Sequence, residues 1–99
     1  MKTLPTSTHR HGVHYELCRR EGDVAMYSLR YTPCGPIQGY DCGRVAVIPS
    51  RTFKGQIIET YEQFPLSEQF GTSWWSWTSR AKADQCFTDL LKQGGAHGN

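Results

Sequence analysis

Four cysteines and four histidines carry the side chains here that could attack a substrate, hold a metal or move a proton. Cys34, ahead of Gly35-Pro36, and Cys42, beside Asp41, are the candidate nucleophiles. A nucleophile needs a base within hydrogen-bond reach and a group that orients the base. His9, His11 and His14 cluster near the N-terminus and His97 lies near the C-terminus, so neither cysteine has a local partner. Zinc sites use closely spaced ligand pairs such as C-x2-C, and Cys18, Cys34, Cys42 and Cys86 lack that spacing. There is no GxxxxGK[ST] loop, no GxGxxG between strand and helix, and no HExxH. These absences argue against an enzyme, and no catalytic residue, cofactor or metal ligand is expected; the alternative is a thiol- or metal-dependent activity through Cys34, Cys42 and the N-terminal histidines.

Binding chemistry is better supplied. Three tryptophans stand within Trp74-Trp75-Ser76-Trp77, and five tyrosines and seven arginines are spread along the chain. Trp, Tyr and Arg dominate interface hot spots, because each combines a large flat surface with a polar handle. Arg30, Arg44 and Arg51, interleaved with Tyr27, Tyr31 and Tyr40, are the set a sheet face would use on phosphates and bases. A formal net charge of only +2 weighs against nucleic acid, since the basic residues are nearly balanced by acids.

These side chains need elements to place them. A chain of 99 residues is sized for one domain, at about 100–150 residues per domain, with room for one sheet and one or two helices. Val13 to Cys18 alternates, with Val13, Tyr15 and Leu17 on one face and His14, Glu16 and Cys18 on the other. A turn at Gly22 leads to a second strand, Val24 to Tyr31, completing an antiparallel hairpin. The breakers Pro33, Gly35, Pro36 and Gly39 make a loop.

Tyr40 to Ile48 reads as a third strand, apolar on both faces at Val45-Ala46-Val47-Ile48 and so expected to be central or covered; Gly43 marks a bulge or a close backbone approach. Gln56 to Glu62 is a fourth strand, and Trp74 to Trp77 a fifth. Between them, Ser67 is placed to cap a short turn that Gly71 ends, tucking Phe64, Leu66 and Phe70 against the sheet. Thr78 or Ser79 caps a helix over Arg80 to Gln93, whose stripe is Ala83, Cys86, Phe87, Leu90 and Leu91; Gly94-Gly95 is the expected stop. In the Trp strand, Trp75 and Trp77 share a face expected to pack under the helix, and Trp74 on the other is the one expected to meet a partner.

Residues 1–12 are polar and expected to form a mobile arm, and 94–99 a frayed tail. The first twelve residues lack the apolar run of a signal peptide, so a cytoplasmic location and free thiols are expected.

The segments YELCRREGDVAMYSLRY and FPLSEQFGTSWWSWTSRAKADQCFTDLL resemble small standalone bacterial and phage proteins of a sheet plus C-terminal helix type. The shared features are a strand–EGD–strand opening and a Phe-Gly…Trp strand that runs into a terminal helix. The resemblance implies a mobile-element or accessory setting and no catalytic residue.

The expectation is an α+β fold, four or five mainly antiparallel strands with one C-terminal helix packed on one face. The expected function is non-enzymatic protein binding that inhibits or adapts a larger complex, with nucleic-acid binding as the alternative. Trp74, Tyr27, Tyr31, Arg30, Arg44, Tyr40 and Arg51 are the expected contact residues. The expected partner is another protein or protein complex and not a membrane, with homodimer formation through an edge strand as a second route.

Overall fold

The computed structural model describes residues 2–65 and 69–97, the last four by their backbone alone. The chain forms β1 (Ser7–Arg10), β2 (Val13–Glu21), β3 (Val24–Arg30), β4 (Gly39–Arg44), β5 (Ala46–Ile48), β6 (Arg51–Phe53), β7 (Gln56–Ile58), β8 (Tyr61–Gln63), β9 (Trp74–Trp77) and α1 (Arg80–His97). The fold is α+β. Five strands make one antiparallel sheet in the order β1-β2-β3-β4-β9.

Four expectations about the elements change. The expected fourth strand, Gln56 to Glu62, divides into β7 and β8, which pair outside the five-stranded sheet. The stretch expected as an arm contains β1, paired along its length with β2, and a buried Leu4. Its polar side chains hid this, because strand pairing is made by backbone groups that every residue carries. The two-residue turn His11-Gly12 joins the strands, with φ of 53° and 77°, and both positive values are what a tight hairpin demands. The expected third strand breaks at Val45: β4 stays in the sheet while β5 leaves it, so Val47 is exposed rather than covered. The helix also continues through Gly94-Gly95 to His97, since glycine permits a left-handed stop without compelling one. The turn expected around Ser67 falls on residues outside those described.

The sheet buries both faces. On one, Val24, Met26 and Cys42 pack against Ala83, Phe87 and Leu90 of α1, with Trp75, Trp77, Cys18 and Cys86 at the margin. Ser79 starts the helix, its Oγ accepting from the Lys82 N–H at 3.4 Å. On the other face, Ala25, Tyr27 and Trp74 pack with Leu4, Val45 and Phe64. Tyr15 and Phe64 meet edge to face with ring centroids 5.0 Å apart, and Tyr27 and Phe64 at 5.1 Å.

A bulge at Cys18 decides which arginine serves which face. Leu17 pairs with Tyr27, and the next pair is Arg19 with Met26, so Cys18 is the extra residue. The shift turns Arg19 toward the helix, where it binds Asp84 at 3.1 Å and lies 4.1 Å over the Phe87 ring. Arg20 faces the opposite layer and grips Glu62 with two bonds, of 2.9 and 2.6 Å.

The two remaining strand pairs form one ribbon. Ala46 faces Gln63 and Ile48 faces Tyr61; beyond a short gap Arg51 faces Ile58 and Phe53 faces Gln56. The register is the same on both sides of the gap, and the Ser50 N–H donates to Thr60 Oγ1 across it at 3.1 Å. Pro49, which has no N–H to give, sits at the interruption. Lys54-Gly55 closes the tip in the same positive-φ geometry as His11-Gly12. The ribbon contributes to a radius of gyration of 14.6 Å, against about 13 Å for a compact chain of this length.

Candidate functional site

The seven expected contact residues do not converge. Trp74 is wholly buried, and its surroundings show why. A Cβ on Gly43 would fall onto the Ser73 carbonyl oxygen and within 2.5 Å of the indole, so the missing side chain at 43 is the space Trp74 occupies. That is the close approach Gly43 signals, and it places Trp74 in the core rather than at a partner. Tyr27 is buried as well; its hydroxyl donates to the Pro5 carbonyl at 2.7 Å, and burial pushes its pKa up to about 12.

The arginines are largely engaged within the protein. Arg44 binds Asp23 at 3.0 Å and donates to the Leu90 carbonyl of α1 at 2.6 Å. Arg30 lies 3.9 Å from Glu16. Arg19 and Arg80 both reach Asp84, and Arg80 also lies over the Tyr40 ring at 5.5 Å. With Arg20 on Glu62, five of the seven arginines face an acid. Tyr40 is thereby half-buried at the helix start. Only Tyr31 and Arg51 of the expected set stand clear in solvent, and they lie on separate elements.

Two surfaces that the sequence did not single out carry more. The first is the ribbon. Five of the six residues in β6 and β7 are exposed, with Ile58 half-buried. Phe53 and Ile57 are 56% and 77% exposed, and Val47 at the base is 52% exposed. Strand alternation and the constant register put Val47, Arg51, Phe53 and Ile58 on one side and Ile57 on the other. Lys54 lies 5.4 Å over the Phe53 ring at the tip. The period-2 run Arg51-Thr52-Phe53 and the residues Lys54-Gly55 were the available signal; a two-residue turn between β-rich segments predicts a hairpin.

The second surface is a groove of about 550 Å³ between β9 and α1. Trp75 and Trp77 form one wall, and Cys86, Leu90, Lys82 and Asp89 the other. The alternation placing Trp75 and Trp77 together is as expected, but they are the half-exposed pair and Trp74 the buried one.

Two carboxylates are held in opposite ways. Glu62, its side chain 7% exposed, has its pKa lowered, first by the hydrogen bonds from Arg20. It also accepts from the Leu4 N–H at 2.9 Å, tying the N-terminal segment to β8. Asp41 is buried and accepts a hydrogen bond from the Ser76 hydroxyl at 2.6 Å. Burial raises the Asp41 pKa and the Ser76 bond partly opposes it. Among the described residues no cluster of three or more His, Cys, Asp or Glu is arranged to hold a metal ion. Nor is any described helix long and apolar enough to cross a membrane.

No family model matches the chain, and no curated protein or solved structure is similar to it. Any functional reading therefore rests on the surfaces just described.

Proposed function

We propose that the protein is a non-enzymatic protein-binding module and that the ribbon 46–63 is its principal contact element. The observation that carries this reading is the display of Phe53 and Ile57 in solvent on a two-stranded ribbon. An isolated hairpin is marginal in water, and large apolar side chains at its tip gain nothing until something covers them. A protein partner provides both a third layer and an apolar pocket. Arg51 and Lys54, neither of them in a salt bridge among the described residues, add a basic rim to the same tip. A cytoplasmic setting and a role as an accessory to a larger complex belong to this proposal.

Nucleic acid is the weaker reading, because most arginines already serve acids within the fold. The test is affinity capture from the native host followed by binding measurements on the purified partner. Replacing Phe53 and Ile57 together by Ser should weaken binding by at least tenfold while the melting temperature holds. Undiminished binding by the double variant refutes the ribbon as the contact. Salt-sensitive retention on single- or double-stranded nucleic acid, lost on Arg51→Ala/Lys54→Ala, would favour the alternative.

A further inference from the structure

Three of the four cysteines meet in one layer. Cys18 on β2, Cys42 on β4 and Cys86 on α1 all pack between the sheet and the helix, while Cys34 stands apart on an exposed loop. All four are free thiols. Cys42 is wholly buried, and Cys86 packs from α1 against the cluster that holds it. Burial first, and then the neighbouring thiol, push the Cys42 pKa up, so this sulfur keeps its proton and is closed to reagents in water. Cys86 is different. It touches the same layer but is half-exposed and lines the groove beside Trp75 and Trp77. The Cys18 thiol is directed elsewhere, donating to the Glu16 carbonyl at 3.6 Å.

We propose that Cys42 and Cys86 are a reactive thiol pair, with Cys86 the entry site for a small disulfide of the glutathione class and Cys42 the thiol that resolves the adduct. In the first step Cys86 gives up its proton and its thiolate attacks one sulfur of the reagent. The reagent's S–S bond breaks, a Cys86 mixed disulfide forms, and the departing thiolate takes up a proton. In the second step Cys42 loses its proton and attacks the Cys86 sulfur, expelling the other half of the reagent as a thiol. Two protein thiols are thus oxidised to one disulfide and the reagent is reduced to two thiols, which carry both protons. The second step is slow, since burial holds Cys42 protonated. The product bonds β4 to α1 beneath the groove and closes a long loop, which restricts the unfolded chain. This inference stands independently of the protein-binding reading.

The experiment uses the full chain with Cys34→Ser, which removes the exposed thiol. It is incubated with oxidised glutathione, quenched with acid at intervals, and analysed by intact mass and non-reducing peptide mapping. The expected course is a transient glutathione adduct on Cys86, then loss of two hydrogens with Cys42 and Cys86 in one linked peptide. The melting temperature should rise by on the order of 10 °C and return on reduction. Cys42→Ala in the same background should leave the adduct unresolved. Because that change empties a buried position, Cys86→Ser at a half-exposed one is the companion variant; it should abolish the link and leave Cys42 unreactive in the folded protein. A link that maps to Cys18, an adduct on Cys86 that persists with Cys42 present, or no modification of Cys86 without denaturant overturns the proposal.

Discussion

The five-stranded sheet and the ribbon 46–63 are built from the same kind of antiparallel pairing, yet they treat apolar side chains in opposite ways. In the sheet the fully buried side chains have layers to enter: Tyr27 and Trp74 on one side, Val24 and Met26 on the other. In the ribbon Phe53 and Ile57 have none. Backbone pairing is thus common to both regions, and the difference lies in what covers the faces. Strands with covered faces are fixed by the fold's own energetics, whereas uncovered ones are free to be shaped by something outside it.

Changes at Trp74 and at the ribbon tip should sharpen that contrast most. Trp74→Ala empties the largest buried side chain and is expected to cost about 3–5 kcal/mol, read as a lower denaturant midpoint. Gly43→Ala attacks the same packing from the other side, since the new Cβ meets backbone oxygen and the indole, and it should destabilise by more than about 1 kcal/mol. Trp74→Phe should be milder than Trp74→Ala, because the buried indole Nε1 has no hydrogen-bond partner among the described residues to lose. If Trp74→Ala unfolds no more easily than Ile57→Ala, the proposed difference between the two regions fails.

The acid limb of stability offers an intermediate effect. Glu62 has a lowered pKa in the folded protein, so its contribution is full above its ordinary value of 4.5 and is lost as pH falls through its folded value. Asp41 has a raised pKa, so the folded state holds its proton more tightly than the unfolded chain does. Its contribution therefore penalises the folded state above the raised value and fades as pH falls toward 3.8. Glu62→Gln should flatten the loss of stability below about pH 4.5 and cost about 1–3 kcal/mol at pH 7. Asp41→Asn should steepen the acid limb, with stability at pH 7 unchanged or raised. Denaturation midpoints across pH 3–7 check both, as a range set by those ordinary values.

The smallest expected effect is on the ribbon itself. Phe53→Ser and Ile57→Ser should each shift stability by no more than about 0.5 kcal/mol, as exposed substitutions do. A loss approaching that of Trp74→Ala would mean the tip is packed in solution.

Local pattern made much of the fold readable. The alternation of Val13 to Cys18, the hairpin through Gly22 and the helix stripe from Ala83 to Leu91 were all visible, because each depends on residues near one another in sequence. The architecture around Trp74 was readable only in part. Gly43 announced a close approach, but that Trp74 fills it follows from the pairing of Gly43 with Trp74, a contact between distant segments. Trp75 and Trp77 do pack on the helix side, as expected; the expectation of an outward Trp74 assumed that only the helix covers the sheet. The second layer, from Leu4, Val45 and Phe64, has no periodic signature, since its members come from scattered segments. The arginines misled for a similar reason: composition counts them, but only the fold shows that five face acids.

The constant register of the ribbon has a mechanical consequence. The register is constant along the ribbon, so residues removed two facing pairs at a time shorten the hairpin without turning either side over. At about 3.3 Å per step, the seven steps from Ala46 to Phe53 give the tip a reach of roughly 23 Å from its base. Such an arm is a ruler: the distance from body to contact can be reset two pairs at a time while the base that Arg20 and Glu62 anchor stays as it is.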